Sequence, residues 1–122
     1  AKAISLLRRM SRDAQGIWLV PDLEILTPQV VQYALGIQFR RHVLLMGATC
    51  RQVEQGALFA MDCETHDVGR RAAQLANRML GGAKTDEGAG SCRPRLCVNR
   101  STATYLRIPL SELRELGAEL FE

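Results

Sequence analysis

The chain of 122 residues is short of several things, and each shortage removes a class of function. No apolar run approaches the roughly 20 residues that a membrane-crossing helix needs. No continuous apolar block near the start reads as an export leader, because residues 1–12 are periodic instead. Lysine occurs only at Lys2 and Lys84. A phosphoryl-receiver domain needs a lysine on a late strand beside its acidic pair, so Asp22 and Asp62 do not make one. Glycine-rich phosphate loops are absent, since Gly81-Gly82 closes a helical pattern and does not open one. No serine stands in a nucleophile-elbow pattern. The four cysteines, Cys50, Cys63, Cys92 and Cys97, are separated by twelve, twenty-eight and four residues. None of these gaps is the two-residue spacing common at zinc sites, and His42 and His66 are not spaced as partner ligands. No metal and no other cofactor is expected.

What is present is ordinary for a globular α/β domain. Hydrophobic residues make up 47% and charged residues 24% of the chain, with a net charge of +3. The arginines fall in small separate groups (Arg8, Arg9, Arg12; Arg40, Arg41; Arg70, Arg71) with acids between them. That pattern reads as solvated helix faces, and no nucleic-acid partner is expected. Cys50 and Cys63 read as small apolar fillers. Cys92 and Cys97 flank an expected turn and are the candidate pair for a disulfide in an oxidising compartment.

Apolar periodicity alternates between two kinds. Ala3, Leu6, Leu7 and Met10 follow helical spacing. Ile17–Val20, Val43–Met46 and Ala57–Met61 are short runs, apolar throughout, of the kind covered on both faces of a parallel sheet. Between them, Thr27-Pro28 starts a helix whose buried stripe is Val30, Val31, Ala34 and Ile37. Asp67 precedes another stripe, Val68, Ala72, Leu75, Ala76, Met79 and Leu80, closed by Gly81-Gly82. After a connection at 82–94, Leu96–Val98 is a fourth strand, followed by helices at 101–106 and 111–120. The expected fold class is therefore α/β, a three-layer sandwich around a mostly parallel sheet. In such sheets ligands gather at the carboxyl ends of the strands. That rule selects Asp22, Thr49 and Met61 as candidate ligand-binding residues. Asp22 is the most telling, because a carboxylate fixed at the rim can hold an ammonium or hydroxyl group. No catalytic set emerges. Cys63 and His66 are close in sequence, but His66 reads as a surface residue in the first turn of a helix.

Several segments together resemble a known family. Gly16-Ile17-Trp18-Leu19-Val20-Pro21-Asp22 resembles the "G-L-W-L-V-P-D" segment of ABC-transporter substrate-binding proteins of the tryptophan/tyrosine-type uptake family. Val53–Ala60 is similar to that family's "V-x-x-G-A-L-F-A", and Gly69–Gly82 to its "G-R-Q-A-A-x-L-A-x-R-I-L-x-G". Val98-Asn99, Thr102-Ala103, Leu106 and Ile108-Pro109 resemble its closing "V-N-x-x-T-A-x-x-L-G-L-x-I-P". The sequence departs from the family at Thr85–Ser91, where a proline-containing stretch is usual, and at Arg107, where small residues are common.

The resemblance implies a type I periplasmic-binding-protein-like fold. Residues 1–122 would be one domain, the C-terminal lobe of a two-lobed solute-binding protein, with 82–94 a flexible connection and 95–122 a C-terminal tail. The chain opens inside a helical pattern, which fits a fragment whose leader lies elsewhere. The implied activity is non-enzymatic capture of a small-molecule solute, an amino acid or related compound, for an ABC permease in the periplasm or another extracytoplasmic space. Asp22 matches the aspartate at the cleft-side strand end. The same fold as an extracytoplasmic sensor of a signalling protein is the alternative, and a small α/β enzyme using Cys63 and His66 is a remote one. A lobe without its neighbouring strands would leave a sheet edge unpaired, so a homodimer through that edge is expected.

Overall fold

A computed structural model describes residues 2–83 and 92–122. The elements run α1 (Lys2–Met10), β1 (Gly16–Trp18), α2 (Pro28–Arg41), β2 (Leu44–Gly47), α3 (Cys50–Glu54), β3 (Phe59–Cys63), α4 (Thr65–Leu80), β4 (Pro94–Asn99), α5 (Arg100–Tyr105), α6 (Leu110–Glu115) and β5 (Glu119–Phe121). The strands form one five-stranded sheet in the order β1-β2-β3-β4-β5. Three of its pairings are parallel, and β3 with β4 is antiparallel. The expected mostly parallel α/β sheet is therefore present. Among the described residues, no helix is long and apolar enough to cross a membrane.

Local chemistry sets the helix ends. The Thr27 hydroxyl accepts the Val30 N–H at 3.4 Å and Pro28 occupies the first turn, so α2 starts where the sequence says it should. It ends at His42, whose left-handed φ of 55° turns the chain into β2. The buried face of α2 is Val30, Val31, Ala34, Ile37 and Gln38.

Alternation along the strands divides the core. Ala60 lies opposite Cys97 in the β3–β4 register, and both pack with Cys50 and Val53 of α3. Phe59 lies opposite Val98, one residue out of step and so on the other face. There Val98 and Phe59 pack with Ala103, Ile108 and Leu113 from the α5–α6 segment. A third cluster, Leu19, Val31, Ala34, Leu45 and Ala57, lies under α2.

Four expectations are corrected. The fourth strand is antiparallel to the third, because α4 leaves the carboxyl end of β3 and the chain re-enters the sheet at that same end. The apolar stripe of α4 is not buried: Val68, Met79 and Leu80 are exposed, and Asp67 is the one buried residue of the helix. An out-and-back excursion does not lay the helix across the sheet. The segment 111–120 is not one helix. Gly117, at a φ of 74°, ends the turn after α6 and frees 119–121 to pair beside β4.

The fourth correction is the cysteine pairing. Cys97 is bonded to Cys50 and Cys92 to Cys63, with Cα separations of 5.5 and 5.8 Å. The turn expected between Cys92 and Cys97 is instead occupied by β4, and five extended residues carry their Cα atoms about 16 Å apart, too far to bond. Cys50 and Cys63 are consequently cross-linked and not simple fillers. Most of the expected connection at 82–94, residues 84–91, lies outside the described residues.

Candidate functional site

The register places the three candidate residues at one end of the sheet. Trp18, Met46 and Phe59 form a row across β1, β2 and β3. Asp22, Thr49 and Met61 lie four, three and two residues beyond that row, in the carboxyl direction of their strands. Because β4 and β5 run the other way, their amino ends, with Arg93 and Gly117 just before them, lie at this same end.

Asp22 is exposed in the turn after β1. Its Oδ1 accepts the N–H of Glu24 at 2.9 Å and of Ile25 at 3.2 Å, while its carbonyl accepts the N–H of Leu26 at 2.8 Å. The side chain thus builds its own turn, as aspartates at such positions do. Thr49 caps the start of α3 in an extended conformation, but its hydroxyl makes no capping bond. The N–H groups there are taken by others. Asp62 Oδ2 accepts from Cys50 at 3.0 Å, and Gln52 Oε1 accepts from Ala48 at 2.7 Å. Asp62 therefore ties the end of β3 to the start of α3. Met61, its neighbour, points to the opposite face and is 55% exposed.

Met61 lines a cavity of about 700 Å³ together with Glu64, Arg93, Arg95, Leu96 and Glu119. Asp22 and Thr49 do not line it. Asp22 and Thr49 thus lie beyond the ends of β1 and β2, whereas Met61, expected at the end of its strand, is the middle residue of β3, because the strand runs on to Cys63. The three do not share a pocket. The charged wall of the cavity escaped sequence reasoning. Arg95 lies opposite Asp62 in the β3–β4 register, and its Nη1 is 3.5 Å from Glu119 Oε2. Its Nε is buried without a hydrogen-bond partner among the described residues. The signal available in the sequence was the alternation Arg93-Pro94-Arg95-Leu96-Cys97, but its meaning depends on the antiparallel pairing.

Beside this cavity lies the most strongly perturbed carboxylate described. Asp67, buried in the first turn of α4, accepts from the Arg70 guanidinium, from the Arg93 N–H at 3.1 Å and from Arg71 Nε at 2.8 Å. The Arg70 bond, then the Arg93 N–H and then Arg71 hold its carboxyl well below the usual carboxylate range, against the opposing effect of burial. This group is structural: it fastens the start of α4 to the start of β4. Cys63 is in a disulfide, so the Cys63–His66 pair offers no free thiol. What the rim offers is hydrogen-bonding and apolar surface for holding a molecule.

Comparison with known proteins supports the fold. No family model and no curated protein matches the chain. Among solved structures, the ABC domain in complex with L-Trp from Streptococcus pneumonia superposes with a TM-score of 0.71 at 21% identity, covering 98% of this chain and 41% of that one. A conserved domain protein from Vibrio cholerae gives a TM-score of 0.67 at 17% identity, covering 99% of this chain and 41% of that one. The chain therefore spans 41% of the length of each of these two structures. At these identities the likeness shows the fold alone, an α/β arrangement around a mostly parallel sheet.

Proposed function

We propose that the chain is the C-terminal lobe of a two-lobed solute-binding protein, non-catalytic, which delivers its solute to an ABC permease. The observation that carries this reading is the near-complete superposition on part of a longer domain that holds L-Trp. The rim fits the reading. Asp22 and Thr49 follow the carboxyl ends of β1 and β2, where open α/β sheets bind ligands, and Met61 lies within the neighbouring β3. In this reading Asp22 faces a polar group of the solute, Thr49 offers its uncommitted hydroxyl and Met61 supplies apolar contact. The solute is a small molecule, an amino acid or a related compound, enclosed when the second lobe closes by a hinge motion. Two disulfides support an oxidising, extracytoplasmic location.

Alone, the lobe presents half of a cleft and an open edge. Among the described residues β1 pairs only with β2, and Trp18 on it is 62% exposed. Two copies of the isolated chain associate through this edge and its apolar surface. The test of the function is calorimetric titration of the longer, two-lobed protein with L-tryptophan and the other common amino acids. Saturable binding of one of them supports the reading. Failure of the whole panel, with a folded protein, overturns the amino-acid assignment.

A further inference from the structure

The two disulfides differ in depth and in what they hold. Cys50 and Cys97 are both fully buried, in the cluster with Val53, Ala60 and Phe121. A reductant reaches that bond only when the core opens. Cys63 and Cys92 are partly exposed, at the mouth of the β3–β4 pair, where Cys63 lies opposite Pro94.

Their bond closes a loop that contains the whole of α4. Among the described residues, little else holds that helix. Only Asp67 is buried along its length, and its apolar residues Val68, Met79 and Leu80 face outward. Among the described residues, two links tie the start of this segment to the entry of β4, one from Cys63 at the end of β3, two residues before the helix, and one from the first turn of the helix itself. One is the covalent bridge, and the other is the Asp67 carboxylate on the Arg93 N–H. Glu64 and Arg93, each the chain neighbour of one bridged cysteine, also form two walls of the cavity beside Met61.

We propose that Cys63–Cys92 is a thiol–disulfide exchange site for a dithiol reductant, and that opening it unfastens α4 and separates the cavity walls at Glu64 and Arg93 while Cys50–Cys97 stays closed. A thiolate of the reductant bonds to one sulfur of the pair, and the other sulfur leaves as a thiolate and takes a proton. The second thiol of the reductant then displaces the first cysteine. The reductant ends as a cyclic disulfide, two electrons poorer, and Cys63 and Cys92 end as thiols. Nothing in this step depends on the identity of a solute.

The test is graded reduction of the 122-residue chain with dithiothreitol, followed by alkylation and residue-by-residue mass spectrometry. Cys63 and Cys92 are expected to be alkylated at reductant concentrations that leave Cys50 and Cys97 unlabelled. In the same samples, amide exchange across residues 65–80 is expected to accelerate by at least about tenfold, because a segment with so few buried contacts opens locally once one of its links is removed. Exchange in β2 and β3 stays as before. Labelling of all four cysteines together overturns the proposal, as does labelling of Cys63 and Cys92 before reductant is added. Unchanged exchange in α4 after reduction also overturns it. The Cys63→Ser/Cys92→Ser double variant should show the loosened α4 without any reductant. If it exchanges like the parent chain, the bridge does not fasten the helix.

Discussion

Asn99 and Val53 are joined by a buried hydrogen bond, from the Asn99 side-chain Nδ2 to the Val53 carbonyl at 2.9 Å. The other end of the same side chain, Oδ1, accepts the Thr102 N–H at 2.8 Å and caps α5. Thr102 in turn donates its hydroxyl to the Gly56 carbonyl at 3.0 Å, and Gln38 Nε2 donates to that carbonyl at 2.8 Å. Gly56 has a φ of 113°, a conformation that side-chain-bearing residues rarely adopt. Two of the segments that carry the family resemblance, Val53–Ala60 and Val98–Ala103, thus meet at one polar knot. They bind each other at the opposite end of β3 from the candidate site.

This knot makes a direct prediction. Asn99→Ala removes two buried hydrogen bonds and uncaps α5, leaving the Thr102 N–H without its acceptor, while the Val53 carbonyl keeps the Gly56 N–H at 2.9 Å. The expected loss is about 1–3 kcal/mol, that of a lost cap and one further net hydrogen bond. A lower urea midpoint at unchanged slope measures it. A change under about 0.5 kcal/mol, the range of ordinary surface substitutions, would show that water replaces the side chain without cost.

Asp67 predicts an acid limb in the stability of the chain. Its folded-state carboxyl is held below its ordinary value of 3.8, so the folded form binds its proton less readily than the unfolded form. The stabilisation is complete above the ordinary value and is lost as pH falls toward the lowered one. Thermal unfolding followed from pH 5 down to about pH 2 should show this loss, and Asp67→Asn should flatten the limb. The same variant leaves stability near neutral pH lower, since the asparagine cannot pair with Arg70 and Arg71. An acid limb as steep in the variant as in the parent would place its source at other carboxylates.

Much of the fold was legible in the sequence because it is written in local patterns. The strands β1, β2 and β3 were apolar runs, and α2 carried its cap, its proline and its buried stripe in order. What was not legible depended on partners distant in sequence. The antiparallel entry of β4 fixes both the Cys63–Cys92 bridge and the position of Arg95, and no spacing rule contains that information. β5 was hidden because Glu119–Phe121 continues the composition of α6, and only the turn at Gly117 separates them. Of the rim, Asp22 and Thr49 were legible as following strand ends, while β3, expected to end at Met61, continues through Asp62 to Cys63. Glu64, Arg93 and Arg95 were not, because a charged residue means little until its neighbour across the sheet is known.

The open edge predicts self-association of the isolated chain. Trp18, Leu44 and Met61 are all partly or largely exposed on the first three strands, and β1 has one free edge. Light scattering across a concentration series should show a dimer or larger species. Trp18→Lys should weaken the association by about tenfold or more, because a buried tryptophan is a typical hot spot and an edge lysine opposes strand pairing. A monomer at every concentration tested would mean that the edge is covered by the chain itself.

Asp22 offers the sharpest test of the rim, because its role in the turn and the binding role proposed for it separate chemically. The turn needs only an oxygen acceptor at Oδ1 for the N–H groups of Glu24 and Ile25. Asparagine supplies that acceptor, so Asp22→Asn should keep the turn and change stability by less than about 0.5 kcal/mol. Recognition of a solute ammonium needs the charge. In the two-lobed protein proposed above, the same substitution should weaken binding of an ammonium-bearing solute by about ten- to a hundredfold, the worth of one charge-assisted hydrogen bond. Asp22→Ala separates the cases further, since it should lower both affinity and stability. If Asp22→Asn binds as tightly as the parent, the carboxylate serves the turn alone, and recognition of the solute's polar end belongs to the Arg93–Arg95 side of the rim.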